Sequence, residues 1–159
     1  MQKMQDVQDM QNMQVRLDCE AVDRLLPKRK RNTNKGDYGK AAIVAGSEAY
    51  TGAAYLAAAA CLRSGAGYTA LFVPKEIFPY YVLKLPEVLL RAIGDLKELL
   101  AYDSIAYGMG MGISKDVASG AEWLVAHFSG RLILDADALN SLAKYSDLDK
   151  VFAHKKASH

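Results

Sequence analysis

NKGDYGKAAIVAGSEAYTGAAYLAAAACLRSGAGYTALFVP, residues 34–74, reads as strand, loop, helix and strand in succession, and the rest of the chain is arranged around it. Ala41 to Ala45 is a short unbroken apolar run, the pattern of a parallel strand covered on both faces, and Gly46-Ser47 ends it. After the loop Ser47 to Gly52, the segment Ala53 to Arg63 is rich in alanine and helix-forming. Gly65 stands where a left-handed helix cap belongs. Tyr68 to Val73 supplies a second strand before Pro74 stops it. A parallel pair needs a crossover of this length, so the stretch predicts a βαβ unit.

The loop delivers the chain to a helix N-terminus, where free backbone N–H groups and the helix dipole attract anions. Gly52 and Ala53 leave that terminus uncovered. A P-loop would carry a lysine after its last glycine, and none follows Gly52; a GxGxxG fingerprint is missing as well. The loop alone does not separate an anion-receptive terminus from a tight strand-to-helix turn.

Working outward toward the N-terminus, residues 1–17 form a low-complexity segment in which Gln recurs at 2, 5, 8, 11 and 14 and which holds four of the six methionines. A period of three drifts around a helix of about 3.6 residues per turn, so a frayed helix or disorder is expected. Asp18 reads as the cap of a short helix with Val22, Leu25 and Leu26 on its apolar side and Pro27 at its end. Lys28 to Arg31 is a basic run, read as a solvated face or as a localisation or phosphate-attracting patch.

Toward the C-terminus, Lys75 to Leu85 is expected as a short helix broken near Pro79, Val88 to Arg91 as a brief strand, and Asp95 to Tyr102 as a helix. Ser104 to Tyr107 is a strand running straight into Gly108-Met-Gly110-Met-Gly112, whose alternating glycines let backbone approach a ligand closely. Ser114 caps a helix with Val117, Ala121, Leu124 and Phe128 on one face, and His127 lies beside that face as a packed or surface residue. Arg131 to Leu134 is expected as a further buried strand, ending in Asp135-Ala-Asp137-Ala-Leu-Asn140. Either aspartate could simply cap the helix that follows. Three strands thus deliver three unusual loops, and the carboxyl ends of strands in an open parallel sheet form the ligand crevice, so one shared site is expected.

Composition narrows the function classes. At 159 residues, 51% hydrophobic and 24% charged, the chain suits one soluble globular domain. Its net charge of +2 comes from the first 40 residues, with nine Lys/Arg against six Asp/Glu, and the remainder carries eleven against twelve. A nearly neutral domain argues against a nucleic-acid partner, which demands clustered cations. Cys19 and Cys61 are isolated, which suggests a reducing compartment and offers no metal site. Ala53 to Leu62 is too short to span a bilayer; a cytoplasmic protein with no membrane partner is expected.

The same residues closely resemble the opening of the ADP- or ATP-dependent NAD(P)H-hydrate dehydratases, a branch of the ribokinase-like fold. The family's Lys-Gly-Asp-x-Gly is matched at Lys35 to Gly39, its Gly-Ser followed by Gly-Ala at Gly46 to Ala53, and its Arg-x-Gly-Ala-Gly at Arg63 to Gly67. Its Gly-Pro-Gly-Leu-Gly loop appears as Gly108 to Gly112 with methionine replacing proline, and its Leu-Asp-Ala-Asp-Ala-Leu-Asn segment is intact at Leu134 to Asn140. The resemblance implies an α/β fold with a partial doubly wound, mostly parallel sheet and flanking helices. It also implies a repair reaction in which ADP or ATP with Mg²⁺ removes water from the hydrated nicotinamide of NADHX or NADPHX. Hydroxide leaves poorly, and phosphoryl transfer to the ring hydroxyl followed by loss of phosphate lowers the barrier. By the same resemblance, Ala53, its neighbour Gly52, and Gly110 contact the nicotinamide nucleotide. Asp137 and Asn140 line the crevice, Lys35 is a charged neighbour, and no metal ligand is assigned.

The family's later elements, Thr-Pro-His-Pro-Gly-Glu, a Lys-Gly segment and Gly-Thr/Ser-Gly-Asp with the catalytic base, do not occur in the 159 residues. Residues 18–159 are therefore expected to form the N-terminal, substrate-side half of such a domain, with no catalytic residue of their own. A ribokinase-type small-molecule kinase would carry lid strands early in the chain, for which residues 34–74 leave no room. A non-catalytic fragment that binds nucleotide weakly, or that persists by association through an exposed sheet edge, stays open, and with it homo-oligomerisation.

Overall fold

The computed structural model of the protein describes residues 31–153 together with Cys19, Glu20 and Val22. The Met/Gln repeat, the Asp18 cap and residues 28–30 of the basic run lie outside the described residues. Contacts divide the chain into residues 1–33 and 34–159, and the sheet belongs to the second unit.

Five strands form it: β1 (Lys40–Val44), β2 (Tyr68–Val73), β3 (Leu89–Ala92), β4 (Ser104–Tyr107) and β5 (Arg131–Leu134). All four pairings are parallel, and the order across the sheet is β3-β2-β1-β4-β5. The expected partial doubly wound sheet is what forms. β1 is central, and its alternate residues feed two cores. Ala42 and Val44 join Phe72, Ile105, Tyr107, Leu124 and Leu142 on one face, while Ile43 and Ala45 join Ala54, Ala58, Leu71, Val73 and Tyr81 on the other. A strand buried on both sides is why residues 41–45 read as continuous apolar sequence.

The helices are α1 (Thr51–Arg63), α2 (Pro79–Val82), α3 (Lys115–His127), α4 (Asp137–Tyr145) and α5 (Leu148–Ala153). α1 begins two residues before the expected start, so Gly52 lies within its first turn. Tyr50 precedes it without a side-chain cap, and Gly65 follows its end at φ 97°. Ser114 caps α3 as expected, its Oγ accepting from the Val117 N–H at 3.2 Å. The face Val117, Ala121, Leu124 and Phe128 is buried throughout.

Three local expectations are corrected. Pro79 starts α2 instead of breaking a helix, because the first helical position needs no N–H and suits the fixed φ of proline. Residues 96–101 form a 3-10 helix with Asp95 as its cap, the tighter geometry used for short connectors. β5 is not buried on both faces: Leu132 and Leu134 pack toward α3 and α4, but Ile133 is 60% exposed. The cause is position. β5 is an edge strand among the described residues, and α1 lies over β1 and β2.

The amino ends of β1 and β2 are held together by the glycine-bearing motifs that precede each strand. Residues Lys35–Tyr38 form a 3-10 turn in which the Asn34 side chain accepts from the Gly36 N–H and Asp37 accepts from the Asn34 N–H. A methyl placed on Gly67 would overlap the Lys35 carbonyl oxygen, so only glycine lets the turn approach β2 so closely.

Candidate functional site

A parallel sheet with this strand order has one place where successive connections leave in opposite directions. From β1 the chain goes by α1 to β2; from β4 it goes by α3 to β5 on the other side. β1 and β4 are neighbours, so the loops after them part from one another and leave a crevice outside their carboxyl ends.

The three unusual loops meet there. The Gly46 N–H donates to the Met109 carbonyl at 2.8 Å, tying the loop after β1 to the loop after β4. Met109 packs toward the α1 face of the sheet and Met111 toward the α3 face, so the loop after β4 straddles the sheet end. Gly110, at φ 66°, lies directly against α1: a Cβ on it would stand 2.8 Å from the Ala53 Cβ and 2.9 Å from the Tyr50 Cβ. Gly112, at φ 83°, faces open space, and so does Gly52. The Gly112 N–H donates to Asp137 Oδ2 at 2.8 Å, which ties in the loop after β5.

Asp137 therefore has a structural partner, and neither it nor Asp135 caps α4. Ala136 holds the cap position, at φ 48° and ψ −111°, with no side-chain cap hydrogen bond. Asp137 is the first residue of α4, where its charge also suits the positive end of the helix. Gly108, at φ 123°, allows the close passage of β4 beside this loop; a methyl there would overlap the Asp135 carbonyl oxygen.

The structure thus brings together Gly52, Ala53, Gly110 and Asp137. Asn140 is exposed, one turn into α4 from Asp137. Lys35 is not brought to this cluster. It precedes the amino end of β1, with its Nζ 4.7 Å from the centroid of the Tyr68 ring, and β1 itself spans about 13 Å at about 3.3 Å per residue. Its motif neighbours Gly36 and Gly39 serve the turn described above. His127 is a surface residue, stacked on Trp123 with centroids 4.5 Å apart and Nδ1 2.8 Å from the Trp123 carbonyl oxygen.

Sequence reasoning missed Tyr50, which packs against Gly110, and Tyr81. The Tyr81 side chain is buried, and its hydroxyl donates to the Thr51 carbonyl at 2.7 Å, fixing α2 beside the start of α1. No periodicity marks either residue; the Tyr80-Tyr81 pair after Pro79 was the available signal. Burial pushes the Tyr81 phenol above its ordinary value of 10.0. The Tyr107 phenol at the end of β4 is pushed up to about 12 by burial, with the Asp116 carboxylate adding to it, and its hydroxyl donates to the Val117 carbonyl at 3.2 Å. Both are therefore neutral donors near neutral pH.

Comparison with known proteins points one way. Residues 41–158 match the family described as NAD(P)H-hydrate dehydratase. The chain is 36% identical over 126 residues to an ADP-dependent (S)-NAD(P)H-hydrate dehydratase of Listeria monocytogenes, covering 75% of this chain and 45% of that one. Among solved structures it superposes on an ADP/ATP-dependent NAD(P)H-hydrate dehydratase of Bacillus subtilis, co-crystallised with ATP/Mg²⁺, with a TM-score of 0.69 and 34% identity over 80% of this chain and 48% of that one. A ribokinase-like superfamily protein of Enterococcus faecalis shares the fold at a TM-score of 0.72 and 22% identity, over 80% of this chain and 47% of that one. The chain spans about a quarter to a half of the length of the curated relatives it matches.

Proposed function

The chain belongs to the NAD(P)H-hydrate dehydratase family, and on that premise we propose that the crevice between the loops after β1 and β4 binds the hydrated nicotinamide nucleotide, NADHX or NADPHX. One observation carries this reading: Gly110 lies against Ala53 and Tyr50, which puts the backbone of the glycine loop beside the first turn of α1 at the switch point of the sheet. Two of the residues proposed to touch substrate are thereby neighbours, and Gly52 and Gly112 leave the space around them open.

In this reading the first-turn N–H groups of α1, unopposed by any acidic residue in that turn, receive a phosphate of the nucleotide. The loop Gly108 to Gly112 is held in one shape by Met109 and Asp137, so its backbone is set before substrate arrives. Asn140 serves as a polar liner in reach of solvent. Lys35 has no part in this crevice.

ADP or ATP with Mg²⁺ supplies the phosphoryl group that turns the ring hydroxyl into a leaving group. Among the described residues no group of three or more His, Cys, Asp or Glu side chains could hold a metal ion, and Asp137 Oδ2 is already engaged with Gly112. The described residues do not fit Mg²⁺. We place residues 18–159 as the substrate-side half of a ribokinase-like domain, acting within NAD(P)H-hydrate repair. The Gly-Thr/Ser-Gly-Asp segment does not occur in the 159 residues, and substrate binding is the part of the reaction proposed for them.

The test is calorimetric titration of the purified chain with the hydrate of NADH, beside an assay of NADH recovery with ADP or ATP and Mg²⁺. Binding that Ala53→Asp abolishes, without recovery of NADH, is the expected result. Binding unaltered by Ala53→Asp removes α1 from the site. Recovery by the chain alone shows that a base is supplied within it.

A further inference from the structure

The outer side of α1 carries a groove that the crevice leaves unused. Two cavities, of about 320 Å³ and about 400 Å³, meet at Tyr55 and Lys84, which line both. The first opens at Glu48, Thr51 and Gly52, beside Ala53; the second runs on to Leu62 and Arg63. Gly52, Tyr55, Ala59 and Leu62 recur three or four residues apart and so form one stripe of the helix. From Gly52 to Leu62 that stripe is about 15 Å long, at about 1.5 Å per residue.

The facing wall, Tyr80 to Pro86, is fixed to the floor by the buried Tyr81 and its hydrogen bond to the Thr51 carbonyl. The groove is therefore built before anything enters it. Its charges are ordered. Glu48 stands at the near end, Glu87 shares the far end with Arg63, and Lys84 is the cation at the junction. Among the described residues neither Lys84 nor Arg63 forms an ion pair. Tyr80 is 61% exposed, a large aromatic residue at the edge of a polar groove.

We propose that this groove holds the adenosine monophosphate half of the dinucleotide whose nicotinamide end occupies the crevice, an assignment that rests on the substrate reading above. A pyrophosphate leaving the first turn of α1 enters the groove at Thr51 and Gly52, and Lys84, which lines both cavities, is the cation that offsets its charge. Glu48 is suited to accept from ribose hydroxyls, which carry no charge. The adenine has a π-face for Tyr80 and Tyr55; such stacking lets a groove hold a base without reading its edges. The groove thus distinguishes a dinucleotide from a mononucleotide.

Two probes separate the halves: the hydrate of NADH, and the hydrate of reduced nicotinamide mononucleotide, which lacks the adenosine monophosphate. Each is titrated calorimetrically into the chain, into Tyr80→Ser and into Lys84→Met, both exposed positions whose replacement leaves the core intact. The dinucleotide hydrate is expected to bind about tenfold or more tighter than the mononucleotide hydrate, as one stacked base provides. Each variant is expected to erase most of that difference while mononucleotide affinity stays as it was. Equal affinity for the two probes, dinucleotide affinity unmoved in both variants, or equal losses for both probes would overturn the groove assignment. Binding of the mononucleotide hydrate in those cases keeps the crevice reading standing. Failure of both probes to bind the unaltered chain overturns the crevice and the groove together.

Discussion

Replacing Gly110 by alanine, with Gly112→Ala as its control, separates the two reasons a glycine can be required. Both residues lie in the same loop with left-handed backbone, φ 66° and φ 83°. An L-residue there costs about 1–2 kcal/mol, of which about 0.4–1 kcal/mol is recovered because alanine restricts the unfolded chain. That sum is common to both variants and leaves Gly112→Ala destabilised by about 1 kcal/mol, since nothing lies within 4 Å of the added methyl.

At Gly110 the methyl meets the Cβ atoms of Ala53 and Tyr50 at 2.8 and 2.9 Å and the Tyr50 carbonyl oxygen at 3.2 Å. These atoms belong to the backbone or are bonded to it, so no side-chain rotation relieves them, and the loop must move off α1. Overpacking of this kind costs about 1–3 kcal/mol more, for a total of about 2–4 kcal/mol. Against the roughly 5–15 kcal/mol of a typical domain, that is a large fraction. Urea unfolding followed by circular dichroism measures the difference, and titration with the hydrate of NADH reads the site. Gly110→Ala should lower the urea midpoint well beyond Gly112→Ala and weaken binding. Equal midpoints for the two variants would refute the view that close approach to α1, and not left-handed backbone alone, makes Gly110 a glycine.

Other perturbations test the surroundings of the crevice. Asp137→Ala removes the acceptor of the Gly112 N–H and should cost about 1.5–3 kcal/mol, the range of a hydrogen bond to a charged group, measured by thermal unfolding; no change would show that the loop holds its shape without that bond. Ala136→Gly relieves a φ of 48° at a non-glycine residue and should raise stability by about 1 kcal/mol in the same experiment, whereas a drop would mean the strain is not there. Burial pushes the Tyr107 phenol from its ordinary 10.0 up to about 12 in the folded chain, so its contribution is complete below pH 10 and is lost as pH rises toward 12. Tyr107→Phe should flatten that alkaline decline in a pH series of urea melts. It should not abolish the decline, because burial also raises Tyr81 and Tyr102.

Much of this molecule is legible along the chain, and the legible part is local. β1, β2 and β4 are short apolar runs closed by glycine or proline, and β2 and β4 fall on Tyr68–Val73 and Ser104–Tyr107 as read from those runs. Gly65, the Ser114 cap and the four-residue face of α3 follow from rules that act within one or two turns of helix. That three loops share one end of a parallel sheet also follows, because every strand points the same way. What the loops do to one another does not follow. Whether Gly110 serves a turn or touches Ala53, and whether Asp137 caps its own helix or reaches Gly112, depends on residues 57 and 25 positions away in the chain, brought together only by the strand order. The same holds for Lys35, whose motif looked like part of the site yet belongs to the far end of the sheet, and for Ile133, whose apolar character suggested burial on a face that the described helices leave open. Residue type and spacing determine which segments become strands, helices and turns, since those choices turn on neighbours in sequence. Which polar group meets which, and which apolar face is covered, was decided by the order of the strands, since it alone sets what each segment lies beside.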